Sequence, residues 1–136
     1  MTHYNKGANA ERELIKVLDS KGFAVLRVAG SGVNPIPCPD VVALLKGKII
    51  AFECKARKGN YLAIPHTNMD EETQWAFKAG AAFFVAWKVP HKGWLFIEFK
   101  HFHKTGKNYM LTLEDAFRHH IDLNVIVGQQ TVLATP

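Results

Sequence analysis

The feature that most constrains this chain is a pair of short apolar segments separated by a turn-forming tripeptide. The segments read PDVVALL and IIAFECKA, and Lys46-Gly47-Lys48 lies between them. Runs of β-branched and apolar residues on both sides of such a turn are typical of two paired strands. We therefore predict strands over residues 40–45 and 49–56, joined by a tight turn.

Helical patterns lie on both sides of this strand pair. Residues 8–21 and 69–79 are predicted to be helices, each followed by a glycine of the kind that commonly ends a helix. Asn68 is the predicted N-cap of the second helix, with Glu71 three residues further on. A short third helix is predicted after Thr112.

Further strands and an apolar tail complete the pattern. Strands are predicted at residues 23–29, 82–88 and 94–99. The tail, residues 123–133, is predicted to be either an edge strand or part of a dimer surface. This alternation predicts one α/β domain over residues 1–136, with a central mixed β-sheet flanked by helices.

Composition narrows the class of protein. The 136 residues are 48% hydrophobic, enough for a core, and the formal charge of +5 favours a polyanionic partner. No apolar run is long enough for a membrane span, and the N-terminus lacks the apolar region of a secretory signal. Cys38 and Cys54 are isolated, which argues against disulfides or a zinc site and predicts a cytoplasmic location.

Two carboxylates and an amine interrupt the predicted strand pair. Asp40 opens the first strand, and Glu53 and Lys55 share one face of the second because side chains alternate along a strand. Two nearby carboxylates repel unless a cation lies between them, and Mg²⁺ prefers carboxylate oxygens. The residues therefore allow a catalytic metal site, with an exposed Glu53–Lys55 ion pair as the alternative.

Two further residues are candidates for the same site. Glu11 continues the apolar stripe of the first helix, so its carboxylate is either a favourable charge near the helix N-terminus or a third acid directed at the metal. Ser31 lies in the loop AGSG, whose glycines would let the backbone and hydroxyl approach a phosphate closely. A surface loop without that role is the alternative for Ser31.

The order of these motifs resembles the archaeal-type Holliday junction resolvases, a branch of the PD-(D/E)-x-K nuclease superfamily. The likeness is carried by K-G-x-x-x-E-R at residues 6–12, G-F-A-V-x-R at 22–27, A-G-S-G at 29–32, P-D-V-V-A at 39–43 and E-C-K at 53–55. It implies a restriction-endonuclease-like core and a homodimer that nicks opposed strands of four-way junction DNA. It also implies Mg²⁺ as cofactor, with Mn²⁺ accepted.

The resemblance also assigns roles to individual residues. The catalytic residues that it implies are Glu11, Ser31, Asp40, Glu53 and Lys55, of which Glu11, Asp40 and Glu53 would bind the metal. Gln74 looks similar to a glutamine that the family carries in the helix after the motif. The predicted DNA contacts are Lys6, Arg12, Arg27, Arg57, Lys58 and Gln74, with Lys46 and Lys48 as further basic candidates.

Two other functions stay open at this point. A related nuclease of the same superfamily would act on duplex, nicked or flap DNA. A non-catalytic junction-binding protein would keep the fold, but we would expect it to have lost some of the acids or the lysine.

Overall fold

The computed structural model describes residues 3–28 and 36–133 of the chain, with side chains over 6–28 and 36–128. Ser31 lies outside the described residues. The helices and strands are α1 (His3–Ser20), β1 (Ala24–Arg27), β2 (Val41–Leu45), β3 (Lys48–Ala56), β4 (Tyr61–Pro65), α2 (His66–Ala79), β5 (Ala82–Val89), β6 (Gly93–Ile97), a 3-10 turn (Phe99–His101), β7 (His103–Thr105), β8 (Asn108–Thr112), α3 (Leu113–His119) and α4 (Leu123–Leu133).

A five-stranded mixed sheet in the order β1-β2-β3-β5-β6 lies at the centre of the fold. β3 and β5 are parallel, and the other neighbouring pairs are antiparallel. The predicted tight turn between β2 and β3 is confirmed, because Leu45 pairs with Lys48. Lys46 and Gly47 both have positive φ, of 49° and 88°, as a two-residue hairpin turn requires.

The two faces of this sheet carry separate hydrophobic cores. On one face, Leu14 and Leu18 of α1 pack against Phe52 of β3. On the other face, Trp87 of β5 packs with Met69 of α2 and Leu111 of β8. The alternation of side chains along β3 and β5 divides the two cores, so the central sheet is covered on both sides.

A second, three-stranded antiparallel sheet has the order β4-β8-β7 and was not predicted. Its strands are short, and β4 alternates exposed and buried residues over only five positions. β4 runs directly into α2, and His66 N donates to Lys107 O at 3.0 Å. The N-cap prediction at Asn68 is therefore wrong: Pro65 precedes the helix, and the pairing of β4 with β8 fixes where α2 begins.

The apolar tail folds as helix α4, so the edge-strand prediction is wrong. Asp122 Oδ1 accepts the backbone N–H of Asn124 at 2.8 Å, which satisfies a donor at the start of the helix. Leu123 and Ile126, one helical turn apart, pack into the core beside α1. The dimer-surface alternative for this segment stays a prediction.

The first helix and the first strand are observed where they are predicted, but their ends differ from the predicted ends. α1 begins at His3 and ends at Ser20. β1 is shorter than predicted at both ends. The cap predicted at Thr112 is confirmed, because its side chain accepts the Asp115 N–H at 3.1 Å. No helix in the described part of the chain is long and apolar enough to cross a membrane.

The packing of α1 on the sheet yields a stability prediction. Leu14→Ala removes a fully buried side chain, whereas Leu26→Ala removes one that is 59% exposed on β1. We expect the first change to lower the free energy of unfolding by about 2–5 kcal/mol and the second by about 0.5 kcal/mol or less. Urea unfolding measures both, and equal losses would contradict the assignment of this core.

Candidate active site

Asp40 is held at the mouth of the central hairpin by backbone hydrogen bonds on both sides. Its carbonyl accepts Val28 N–H at 2.8 Å, and its own N–H donates to Phe52 O at 3.0 Å. The β2–β3 register pairs Val41 with Phe52, so the next pair in the antiparallel ladder sets Asp40 opposite Glu53. The Asp40 side chain then accepts the backbone N–H of Cys54 at 2.9 Å.

Glu53 and Lys55 share the face of β3 that is directed toward α2. Lys55 Nζ lies 3.0 Å from Glu53 Oε2, and Cys54 between them packs into the core on the α1 side. Glu53 is only 4% exposed. The pair is therefore not the solvent-exposed ion pair that the sequence left open, because a carboxylate this deep requires compensating partners.

Glu72 is a third buried carboxyl group at this site, and the sequence interpretation missed it. It is 6% exposed and lies on the buried stripe of α2 with Met69 and Ala76. Its side chain is within hydrogen-bonding reach of Glu53. The signal was available, because a glutamate that continues an apolar helical stripe is the pattern that singled out Glu11.

The three carboxyl groups carry unequal affinities for protons. Burial, followed by Glu53, raises the pKa of Asp40 to about 8. Burial and a hydrogen bond to Glu53 raise the pKa of Glu72 to about 11. Burial alone would raise the pKa of Glu53, but hydrogen bonds from Glu72 and Asp40 and the charge of Lys55 lower it overall. Glu53 is thus the anion, with a protonated acid on each side.

Lys55 is held as an ammonium by this arrangement. Its burial lowers the pKa, but the charge and hydrogen bond of Glu53 outweigh that effect and raise the pKa above its ordinary value. A lysine that keeps its proton can stabilise charge on a phosphate or orient a water molecule. In this state it is not prepared to act as a base.

Glu11 approaches the site from α1, on the opposite face of the sheet. Its carboxylate forms an ion pair with Arg27 Nε at 2.8 Å, and its side chain is 16% exposed. After burial and Glu53, Glu11 adds to the rise in the pKa of Asp40, so its charge acts on the site. The structure thus brings Glu11, Asp40, Glu53 and Lys55 to one region, with Arg27 bound to Glu11.

The remaining residues predicted to contact DNA lie on the surface, some beside this site and others away from it. Arg57 and Lys58 are exposed and directly follow β3, close in sequence to Lys55. Gln74 is exposed, two residues from Glu72 and therefore on the far side of α2 from the carboxyl cluster.

Arg12 is exposed, Lys6 and Lys48 are half-buried, and Lys46 is exposed in the hairpin turn. The turn lies roughly 16 Å along β3 from Glu53.

The donor set suits a hard divalent cation, which prefers carboxylate oxygens. Glu72 Oε1 is also buried with no hydrogen-bond partner in the described residues. Over residues 6–28 and 36–128, however, no three His, Cys, Asp or Glu side chains already stand in an arrangement that could hold a metal ion. The acids instead bond to one another, so a cation held by Asp40 and Glu53 would have to displace the proton that Asp40 shares with Glu53.

Comparisons with known proteins bear on this site. The sequence profile of a family described as archaeal Holliday junction resolvase (hjc) matches residues 2–133. The crossover junction endodeoxyribonuclease Hjc of Archaeoglobus fulgidus is 39% identical over 107 residues, 79% of this chain and 79% of that protein.

Solved structures also resemble the fold. The Hjc structure from Archaeoglobus fulgidus, a Holliday junction resolvase, superposes with a TM-score of 0.80 at 31% identity, covering 90% of this chain and 96% of the other. The bacterial homing endonuclease I-Ssp6803I gives a TM-score of 0.59 at 15% identity, covering 95% and 94% of the two chains. The latter likeness concerns the fold alone, and together they bear out the predicted restriction-endonuclease-like architecture.

The protonation of Asp40 predicts a pH-dependent stability in the absence of divalent cations. Because its folded pKa is raised from 3.8 to about 8, the folded protein keeps a proton that the unfolded chain has released. This contribution is complete below about pH 4 and is lost as the pH rises to about 8. Asp40→Asn should therefore flatten the decline in unfolding free energy over this range.

Urea unfolding in EDTA at several pH values measures the effect. The control is Asp19→Asn, which removes an exposed carboxylate from α1 and should leave the pH profile of the parent unchanged. A profile for Asp40→Asn that runs parallel to that of the parent would contradict the protonated state of Asp40.

Proposed function

The chain belongs to the family of archaeal Holliday junction resolvases, and on that premise we propose that it is a metal-dependent endonuclease that resolves four-way DNA junctions. The observation that carries the proposal is the buried Glu53, with Asp40 opposite it and Lys55 3.0 Å away. The family profile spans nearly all of the chain, which supports one nuclease domain over residues 1–136.

Asp40 and Glu53 would hold the cation, Mg²⁺ or Mn²⁺, with the Cys54 carbonyl as a further oxygen donor. A bound divalent ion lowers the pKa of a coordinated water and offsets charge on the reacting phosphate. Glu11 is proposed as a further metal-binding acid from α1, which would bind the cation through water or complete the shell of a second ion. Burial favours this assignment because two desolvated acids without a cation must share protons, as Asp40 and Glu53 do.

Lys55 would act on the scissile phosphate and not on the cation. Its ammonium, fixed by Glu53, would stabilise charge on the phosphoryl oxygens and orient the attacking water. Ser31, in the segment of sequence between β1 and β2, is proposed to contact the cleaved strand. Both proposals require the phosphate to approach the end of β3 that carries Glu53 and Lys55.

DNA binding would depend on backbone phosphates around the site. Arg57 and Lys58 follow β3 and are exposed, so their charges are free to reach the strand that Lys55 contacts. The wider set of proposed contacts is Lys6, Arg12, Arg27, Lys46, Lys48 and Gln74. To contact a DNA phosphate, Arg27 would have to give up its ion pair with Glu11 or bind both groups at once.

Two symmetric nicks require two copies of this site. A homodimer with a twofold axis would match the approximate twofold symmetry of a four-way junction, and we propose that the protein acts as such a dimer. We also propose that it works in the cytoplasm, because neither Cys38 nor Cys54 forms a disulfide in the described residues.

The cleavage prediction compares end-labelled four-way junction, linear duplex, nicked duplex and flap DNA, with Mg²⁺ or with EDTA. We expect paired, symmetric nicks on the junction alone, and no cleavage in EDTA. Glu53→Gln should slow cleavage by more than about 100-fold, because it removes a proposed metal ligand rather than a supporting group. Glu114→Gln, at a side chain that is 81% exposed, is the matched control and should cleave at the parent rate.

The outcomes separate the three functions. Equal cleavage of linear duplex and junction would reject junction selectivity and keep the nuclease chemistry. Tight junction binding without any metal-dependent cleavage would favour a non-catalytic junction-binding protein.

The phosphate contacts predict a change in salt dependence. Arg57→Ala and Lys58→Ala should each weaken junction binding in EDTA and lower the slope of log affinity against log salt by about 1. Fluorescence anisotropy at several salt concentrations measures the slopes. Lys104→Ala, an exposed lysine on β7, should keep the parent slope, and an unchanged slope for both test variants would place the DNA elsewhere.

A further inference from the structure

Glu72 has a feature that none of the proposed catalytic roles explains. Its side chain is 6% exposed, and its Oε1 is buried without a hydrogen-bond partner in the described residues. A buried carboxyl oxygen without a donor is costly, and such atoms in native proteins usually serve a function or contact a group that is absent. Leucine at this position would fill the same space without that cost.

The direction of the Glu72 side chain links it to the proposed cation site. Met69, Glu72 and Ala76 form the buried stripe of α2, so Glu72 is directed toward the sheet and not toward solvent. Its carboxyl group is within hydrogen-bonding reach of Glu53 and close enough to Lys55 to feel its charge. Glu71, its neighbour in sequence, is exposed.

The arrangement of the acids argues against Glu72 as a direct metal ligand. In the described part of the chain, no three acidic, histidine or cysteine side chains converge in an arrangement that could hold an ion. Mg²⁺ keeps several of its waters when it binds to protein carboxylates. Those waters are hydrogen-bond donors, and a donor is what Glu72 Oε1 lacks.

We infer that Glu72 is a further acidic member of the cation site, a positioning residue that fixes the Glu53 carboxylate through one oxygen and accepts a hydrogen bond from cation-bound water through the other. This inference rests on the proposed function, because it requires a divalent cation at Asp40 and Glu53. It adds α2 to the elements that build the site, beside the β2–β3 hairpin and α1. The orphaned oxygen of the cation-free protein then has a partner in the loaded protein.

A purely structural role for Glu72 predicts different behaviour. If Glu72 only anchored α2 to the sheet, its replacement would lower stability with and without cation and leave cation affinity unchanged. Replacing a member of the cation site should lower cation affinity, whatever it does to the stability of the cation-free protein.

The test measures Mn²⁺ binding to the DNA-free protein by electron paramagnetic resonance of the free ion. Glu72→Met keeps the length of the side chain and removes both carboxyl oxygens, and Glu71→Met makes the same change on the exposed side of α2. We expect Glu72→Met to weaken Mn²⁺ binding by about tenfold, the range for residues that support metal ligands. Glu71→Met should bind Mn²⁺ as the parent does.

A second variant keeps the test decisive if Glu72→Met folds poorly. Glu72→Leu also removes both carboxyl oxygens, and its melting temperature in EDTA reports the structural contribution of Glu72 separately. It should gain less melting temperature than the parent on addition of Mn²⁺. A gain equal to that of the parent would overturn the inference in favour of a structural role.

Two more variants separate this inference from the proposal on which it rests. Asp40→Asn and Glu53→Gln should each weaken Mn²⁺ binding more than Glu72→Met does. If they weaken binding but Glu72→Met matches Glu71→Met, the inference about Glu72 is wrong and the cation site stands. If neither weakens binding, the cation site itself is wrong, and the inference is overturned with it.

Discussion

The burial of one negative charge, that of Glu53, is the constraint on which the rest of the site depends. A carboxylate that is 4% exposed in the middle of a sheet is tolerated only with close partners. Those partners come from separate parts of the fold: Asp40 from the mouth of the hairpin, Lys55 from the same strand and Glu72 from α2. A register shift of one residue in β3 would turn Glu53 to the other face and leave all three without it.

The same constraint connects folding to cation binding. Without a cation, Asp40 and Glu72 keep their protons because a second buried charge beside Glu53 would be repelled. A divalent ion would supply the missing positive charge, so its binding should release the proton of Asp40 and become tighter as the pH rises. Without a cation, the hydrogen bonds of Asp40 and Glu72 to Glu53 hold the site together, and cation binding would have to replace the one from Asp40.

Sequence alone was sufficient where local chemistry decides the structure. The Lys46-Gly47 turn, the flanking apolar runs and the alternation along β3 were enough to predict the hairpin, and with it the proximity of Asp40 and Glu53. Longer-range pairing decided the features that were missed. The second sheet joins β4 to β8 across an intervening helix and three strands, and the resulting path of the chain, not a cap at Asn68, sets the start of α2. Glu72 was overlooked because its stripe on α2 is short, and Ser31 lies outside the described residues.

The most direct test of the account is the anomalous scattering of Mn²⁺ in crystals of the protein soaked with the ion. We predict one or more anomalous peaks bounded by the carboxylates of Asp40 and Glu53, with Glu72 facing a Mn²⁺-bound water. The same soak of Glu53→Gln crystals should lose the peak. Mn²⁺ bound elsewhere, or an unchanged peak in Glu53→Gln, would contradict the claim that this buried acid cluster is a cation site.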